Sequence, residues 1–284
     1  MAKAVATVHG AISLVNAIAT KKGATLGIDL KVEAIVETSE GKGISLYSEN
    51  KSLSSRLINK TVEKIIPKKD LDENKIAITL NSEIPTGYGL KSSSAISSAV
   101  ALACAKIFKP KLTDQQILLA GVDASIESKV SITGAYDDAC SCYYGGFNVT
   151  DNAKKKRIQF EKGPTNLTAV IFIPKNRKRG NLKNLKALSS VFDNAWELAR
   201  KENYWEAMII NGLATASILN SDSKIITTLI QKGALGASVS GNGPSIAAVT
   251  KKGNESNIKR VFSSLEGRII VSKISNKKAE AHEL

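Results

Sequence analysis

The stretch Pro85-Thr86-Gly87-Tyr88-Gly89-Leu90-Lys91-Ser92-Ser93-Ser94-Ala95 runs without a break into Ile96-Ser97-Ser98-Ala99-Val100-Ala101-Leu102-Ala103. Pro85, Gly87 and Gly89 prevent regular structure before Leu90, and glycine supplies the positive φ that a tight anion-binding turn needs. Small, helix-compatible residues follow at once. Three hydroxyls therefore crowd the place where a helix N-terminus leaves its N–H groups unpaired, and those amides, with the helix dipole, favour phosphate oxygens. A serine there can cap the helix, bond a phosphate or ligate Mg2+. An ordinary Gly-capped helix with a Ser-rich first turn would carry the same residues. Two commoner phosphate motifs are excluded: the Walker pattern GxxxxGK[ST] needs glycine where Pro85 and Leu90 stand, and GxGxxG fails at Ser92.

Upstream of this stretch, residues 27–37 alternate apolar and polar side chains and read as a half-buried strand. Residues 5–8 and 44–48 are further strands, and residues 10–19 read as a loop with a short helical turn. Residues 54–66 place Leu57, Ile58, Val62, Ile65 and Ile66 on one side of a helix, and residues 77–80 form the strand that enters the glycine-rich stretch. Downstream, the alanine-rich helix stops before Pro110. Thr113 opens another helix that runs to Ser128, with Asp123 and Glu127 on one face.

A second notable stretch, Thr133-Gly134-Ala135-Tyr136-Asp137-Asp138-Ala139, joins two adjacent acids to small residues and leads to Gly145-Gly146. A hairpin over residues 147–150 and 157–160 follows. The second half begins near Asn166 with an apolar strand to Pro174, a basic loop, and helices over 182–201, 205–220 and 225–232. A third stretch, Ser240-Gly241-Asn242-Gly243-Pro244-Ser245, forms a tight turn between two strands. Residues 257–265 are helical, 268–274 a last strand, and the residues from Asn276 a polar tail.

A hydrophobic share of 43% over 284 residues is that of a globular chain with a sizeable core, so disorder is not the default. No apolar run reaches the length of a membrane span, and the first residues lack the apolar segment of a signal peptide; a soluble cytoplasmic protein without a membrane partner is expected. Cys104, Cys140 and Cys142 are few and never spaced CxxC, and His9 and His282 are far apart, so no zinc site is proposed. The net charge of +14 is compatible with nucleic acid or with small anionic substrates. Lysines are scattered rather than gathered, aromatic residues are scarce, and no RNA-binding signature accompanies the basic clusters at residues 154–157 and 175–179. A solvated loop accounts for each cluster, and no nucleic-acid partner is expected.

The three stretches, in this order, resemble the GHMP kinases, in which a pattern P-x-x-x-G-L-x-S-S-A wraps the nucleotide phosphates and a late S-G-x-G-P-S turn closes over them. Asp137 to Gly146 is similar to the family's D-N segment, with Asp138 where Asn is more usual. Within the superfamily the chain is most similar to the archaeal-type shikimate kinases, over nearly its whole length. The resemblance implies an α+β architecture: an N-terminal ribosomal-S5-like, ATP-binding domain over residues 1–163 and a C-terminal ferredoxin-like domain over residues 164–284. It implies transfer of phosphate from ATP, with Mg2+, to the 3-hydroxyl of shikimate on the way to chorismate.

The resemblance also distributes roles. Pro85, Gly87, Tyr88, Gly89, Leu90, Lys91, Ser92, Ser93, Ser94 and Ala95, with Ser240, Gly241, Asn242 and Gly243, would hold the nucleotide. Ser93 and Glu127 would ligate Mg2+, a neutral and an anionic oxygen suited to a hard cation. Asp137 would take the substrate proton, with Asp138 as the alternative base; two adjacent acids also suit a helix N-terminus. Ser13, Asn16 and Asp29 would meet the substrate hydroxyls, and Arg177 and Arg179 are candidates for its carboxylate, although a solvated basic loop would look the same. Lys91 either reaches a phosphate or lies in solvent. Mevalonate-type members carry a lysine in the first motif, where this chain has Ala11, so Asp137 works alone or another cation approaches, with His9 or an arginine of the second half as candidates. A monomer or homodimer is expected. Homoserine kinase or another small-molecule kinase of the superfamily is the first rival reading, and a basic RNA-binding protein with an S5-like domain is the rival of another class.

Overall fold

The computed structural model of the chain describes residues 1–49, 53–131, 133–178 and 180–284. Its first unit is built on two long antiparallel strands, β1 (Lys3–Val15) and β2 (Lys22–Glu40). Strand β1 continues through Gly10 and Ala11 to Val15 where a loop was expected. The small side chains that made it look like a loop let α-helices press against a strand that is buried without interruption from Val8 onwards. Register shifts at His9/Gly10 and Ser13/Val15 bend its end toward the site, a common place for bulges.

Short strand β3 (Gly43–Ser48) is followed by α1 (Ser55–Ile65), whose Ser54 cap accepts from the amide of Leu57, and by the single turn α2 (Lys68–Glu73). Strand β4 (Asn74–Ser82) pairs with β2 and, in parallel, with β3. The central helix α3 (Ser92–Phe108) has no polar face because it is buried nearly all round, with only small side chains in contact on most sides. Helix α4 (Asp114–Glu127) starts with a capping box between Thr113 and Gln116, and α5 (Tyr136–Tyr144) leads to the hairpin β5 (Phe147–Asp151) and β6 (Lys156–Glu161). Strand β5 pairs with the beginning of β2, so β2 holds the hairpin at one end and β4 at the other.

The second unit is an antiparallel sheet covered by helices: β7 (Leu167–Pro174), a 3-10 segment (Leu182–Leu188), α6 (Ser189–Arg200), α7 (Tyr204–Ile218), α8 (Ser223–Gln231), β8 (Ala234–Val239), β9 (Ile246–Lys251), α9 (Glu255–Val261) and β10 (Gly267–Lys273), with strand order β10-β7-β9-β8. The residues from Asn276 are not simply a tail. Strand β11 (Glu280–Glu283) returns to the first sheet and pairs with β1, Ile274 bridges to Ile28, and the Ala279 amide donates to the Tyr143 carbonyl at 2.6 Å. A four-residue strand held by its backbone leaves almost no apolar signal in the sequence. One buried cluster runs through both units, from Ile12, Leu26 and Val100 to Trp196, Met208 and Val249, and a second fills the far side of the C-terminal sheet around Phe172, Leu229 and Phe262. No described helix is long and apolar enough to cross a membrane.

Candidate active site

Two helices begin with a non-glycine residue in the left-handed region and no side-chain cap: α3 after Lys91 (φ 66°) and α5 after Ala135 (φ 51°). Such backbone costs roughly 1–2 kcal/mol for an L-residue and persists where the surroundings demand it. Both starts open on one cavity of about 380 Å3. Ser13 and Asn16 from the end of β1 line it, together with Gly87 and Gly89 to Ser94 from the loop, Asp137 and Asp138 from α5, and Gly241 and Asn242 from the β8–β9 turn. Ser125, Val130, Ser131 and Thr133 complete one side, Ala17, Ile18 and Leu182 the other. The three stretches singled out in the sequence thus share a single space, with the unpaired amides of α3 on one wall and the acid pair on the next.

A buried polar network joins the walls. Lys91 Nζ donates to Ser13 Oγ at 2.7 Å and meets Asp138 Oδ1 at 2.8 Å; Ser13 Oγ also accepts from the Gly241 amide at 2.9 Å. Ser240 Oγ donates to the Gly89 carbonyl at 2.9 Å and accepts from the Ser13 amide. Asn16 donates to the Gly241 carbonyl at 2.8 Å, and its own amide donates to Asn211 Oδ1. Asn211, fully buried on α7, donates in turn to Ser238 Oγ at 2.7 Å. Lys91 is not the solvated side chain that the sequence left open: its side chain is 4% exposed.

Asp137 is 3% exposed and supported from behind. Asn152 donates from Nδ2 to Asp137 Oδ1 at 2.6 Å and accepts from the Asp137 amide at 3.1 Å, while Thr150 Oγ1 fixes Asn152 at 2.8 Å. Thr25 Oγ1 donates to the Asp137 carbonyl at 2.8 Å. Burial, and then the Asp138 charge, push the Asp137 carboxyl up to about 7, against the pull of Lys91 and Asn152. The other Asp137 oxygen lies against Gly23, where an added Cβ would fall on it. Gly23→Ala is therefore expected to displace this carboxylate and to lower kcat about tenfold or more, with the KM for ATP unchanged; steady-state kinetics would check it, and an unaltered kcat would mean that Asp137 has room to move.

Several expected site residues lie elsewhere. Glu127 is exposed and its carboxylate pairs with Lys64, so it does not join Ser93 at the cavity. Asp29 faces His9 (3.4 Å) and Lys277 (3.3 Å), because on β2 it looks toward the returning chain. Arg177 stacks over Tyr88 at 4.8 Å and, with Pro85 and Arg268, lines a separate depression behind the loop. Arg179 lies outside the described residues. His9 is buried away from the cavity, with its pKa lowered chiefly by burial. Ser240 and Gly243 shape the third turn without lining the cavity, Gly243 donating its amide to the Ser240 carbonyl at 2.8 Å, and Ala95 is packed beneath the first turn of α3. Asn152, Thr25 and Gly23 carried no signal in the sequence. Asn211 did: it is a lone amide in the otherwise apolar run of α7.

The chain belongs to the GHMP kinases: residues 56–146 match the family described as GHMP kinases N terminal domain, and residues 214–266 that described as GHMP kinases C terminal. Membership implies ATP as phosphoryl donor and a small-molecule acceptor. The chain is 37% identical over 281 residues to a shikimate kinase of Methanosarcina acetivorans, covering 96% of this chain and 95% of that protein. It is 34% identical over 277 residues to a shikimate kinase of Methanothrix thermoacetophila, covering 96% and 94%. Among solved structures, homoserine kinase from Cytophaga hutchinsonii superposes with a TM-score of 0.77 at 17% identity, covering 99% of this chain and 97% of that one. Mevalonate kinase of Methanococcus jannaschii gives 0.73 at 18% identity, covering 96% and 98%. These two likenesses carry the fold alone.

Proposed function

We propose that this chain transfers the γ-phosphoryl group of ATP to the 3-hydroxyl of shikimate, giving shikimate 3-phosphate and ADP. The observation that carries the chemistry is the convergence on one cavity of an uncapped helix start and an acid pair of which Asp137 is buried. The substrate rests on relatives named shikimate kinase that align over almost the whole chain. In-line phosphoryl transfer asks the protein for positioning and charge neutralisation, and the parts fall into those roles. The α3 amides and the loop serines hold the phosphates. Asp137, with a pKa near neutrality, takes the proton of the acceptor hydroxyl as that oxygen bonds to phosphorus and the bond to ADP breaks.

Mg2+ fits this site through its chemistry. It prefers a few protein oxygens beside phosphate oxygens, and the Ser93 hydroxyl, half-buried on the cavity wall, is such a donor. Bound there with the nucleotide, the ion would neutralise phosphate charge. Its anionic ligand is not Glu127 in the arrangement described, where that carboxylate is held by Lys64.

The test is ADP release with Mg·ATP and shikimate, homoserine or mevalonate as acceptor. Turnover with shikimate is the expected result; activity confined to homoserine would remove the substrate while leaving the kinase reading in place.

A further inference from the structure

Lys91 stands in the phosphate loop, yet its ammonium does not point along the loop. It reaches across to the first strand and to the acid pair, with two of its three donors directed at Ser13 Oγ (2.7 Å) and Asp138 Oδ1 (2.8 Å). An ammonium this buried needs a partner, and Asp138, half-buried beside it, would be left exposed to the cavity without its cation at a cost in stability. The partner here has a second acid beside it: Asp137 precedes it in the first turn of α5, so a mobile Asp138 would place an uncontrolled negative charge against the carboxylate that must receive a proton. The Ser13 hydroxyl, the other acceptor, also takes the Gly241 amide, and the Ser13 backbone amide donates to Ser240 Oγ. One nitrogen therefore ties together the loop, the bulged end of β1, the third turn and the acid pair.

The backbone adds a second, independent observation. Lys91 adopts φ 66°, a conformation that glycine takes without strain, so its side chain is kept at a position where local stability favours having none.

We infer that Lys91 is a positioning residue of the transfer step: its ammonium fixes the Asp138 carboxylate and the Ser13 hydroxyl, and so sets the acid pair against the phosphate loop. This rests on the kinase reading above. It does not rest on shikimate, because no contact to the acceptor is invoked. The cation expected near the base thus comes from the loop itself, neither from His9 nor from an arginine of the second half.

The experiment compares Lys91→Gly, Lys91→Met and Lys91→Arg with the parent chain, using whichever alcohol the parent phosphorylates, so that a wrong acceptor shows in the parent and leaves the comparison intact. Lys91→Gly and Lys91→Met are expected to lose about 50-fold or more in kcat, with the KM for the alcohol within about threefold of the parent. Lys91→Arg should recover part of the loss. Lys91→Gly leaves Asp138 without its cation, a cost that relief of the left-handed backbone offsets only in part, so it should melt lower than the parent, while its kcat should rise saturably with added methylammonium. Unchanged kcat would overturn the inference. So would a raised KM for the alcohol at full kcat, which would make Lys91 a substrate-binding cation. A kcat lost in Lys91→Gly that neither methylammonium nor Lys91→Arg restores would overturn it too, since it would leave only a structural role.

Discussion

Asp137→Asn is expected to lower kcat by about 10²–10⁴-fold, the usual worth of a positioned general base, with the KM for ATP nearly unchanged. The amide keeps the shape of the carboxylate and can still accept from Asn152 Nδ2, so the loss isolates proton transfer from folding. The same substitution carries a second signature. The folded carboxyl binds its proton up to about 7, whereas an unperturbed aspartate releases its proton near 3.8. Between those values the folded state holds more protons than the unfolded one, so stability is greatest at the acid end of the window and falls as pH rises through it. Above about pH 8 the ionised, buried group is a cost that asparagine does not bear, and the variant should melt several degrees higher than the parent there. In the parent, kcat should rise with pH through about 7 as the base loses its proton. Parent-like turnover in Asp137→Asn would reassign the base to Asp138.

Gly89→Ala is the other substitution with a large expected effect. Gly89 has φ +80°, and a Cβ there would fall on the Ser240 carbonyl, at the point where the phosphate loop and the β8–β9 turn touch. The Ser240 hydroxyl donates to the Gly89 carbonyl at the same crossing. Alanine must push the two motifs apart, and a displacement of about 1 Å at a reacting centre costs on the order of 100-fold. The expected result is a fall of about that size or more in kcat/KM for ATP, with the chain still folded by circular dichroism, because Leu90 and Val239 beside the crossing are only the edges of two large buried clusters. Full activity would show that the loop and the turn need not meet.

Much of this was legible in the sequence because helix starts and tight turns are set by local residue type. The glycines and serines of residues 85–95, the acids at 137 and 138, and the Ser240-Gly241-Asn242-Gly243 turn each announce a local geometry, and family likeness supplied the fact that they meet. What stayed hidden depends on distance through space. Asn152 supports Asp137 from the hairpin turn after β5 and Thr25 from β2, 112 residues away, and nothing in their neighbourhoods marks them. The direction of Lys91 could not be read, since a left-handed loop residue has no periodicity to aim it. Gly10 and Ala11 looked like loop because small residues in a strand pressed by helices resemble small residues in a turn. Asp29 and Glu127 have the right chemistry for the site, but the returning chain and α1 supply lysines that hold their carboxylates elsewhere.

The pairing of Ala4 with Glu283 and of Thr7 with Glu280 has a bearing on how the protein is made. While the ribosome is still short of those glutamates, the outer side of β1 carries a row of unmatched amides and carbonyls, a template for a stray chain. Strand β1 leaves the exit tunnel well before the strand that completes its edge. The first unit is therefore not finished while it is being made and matures together with the unit that follows it.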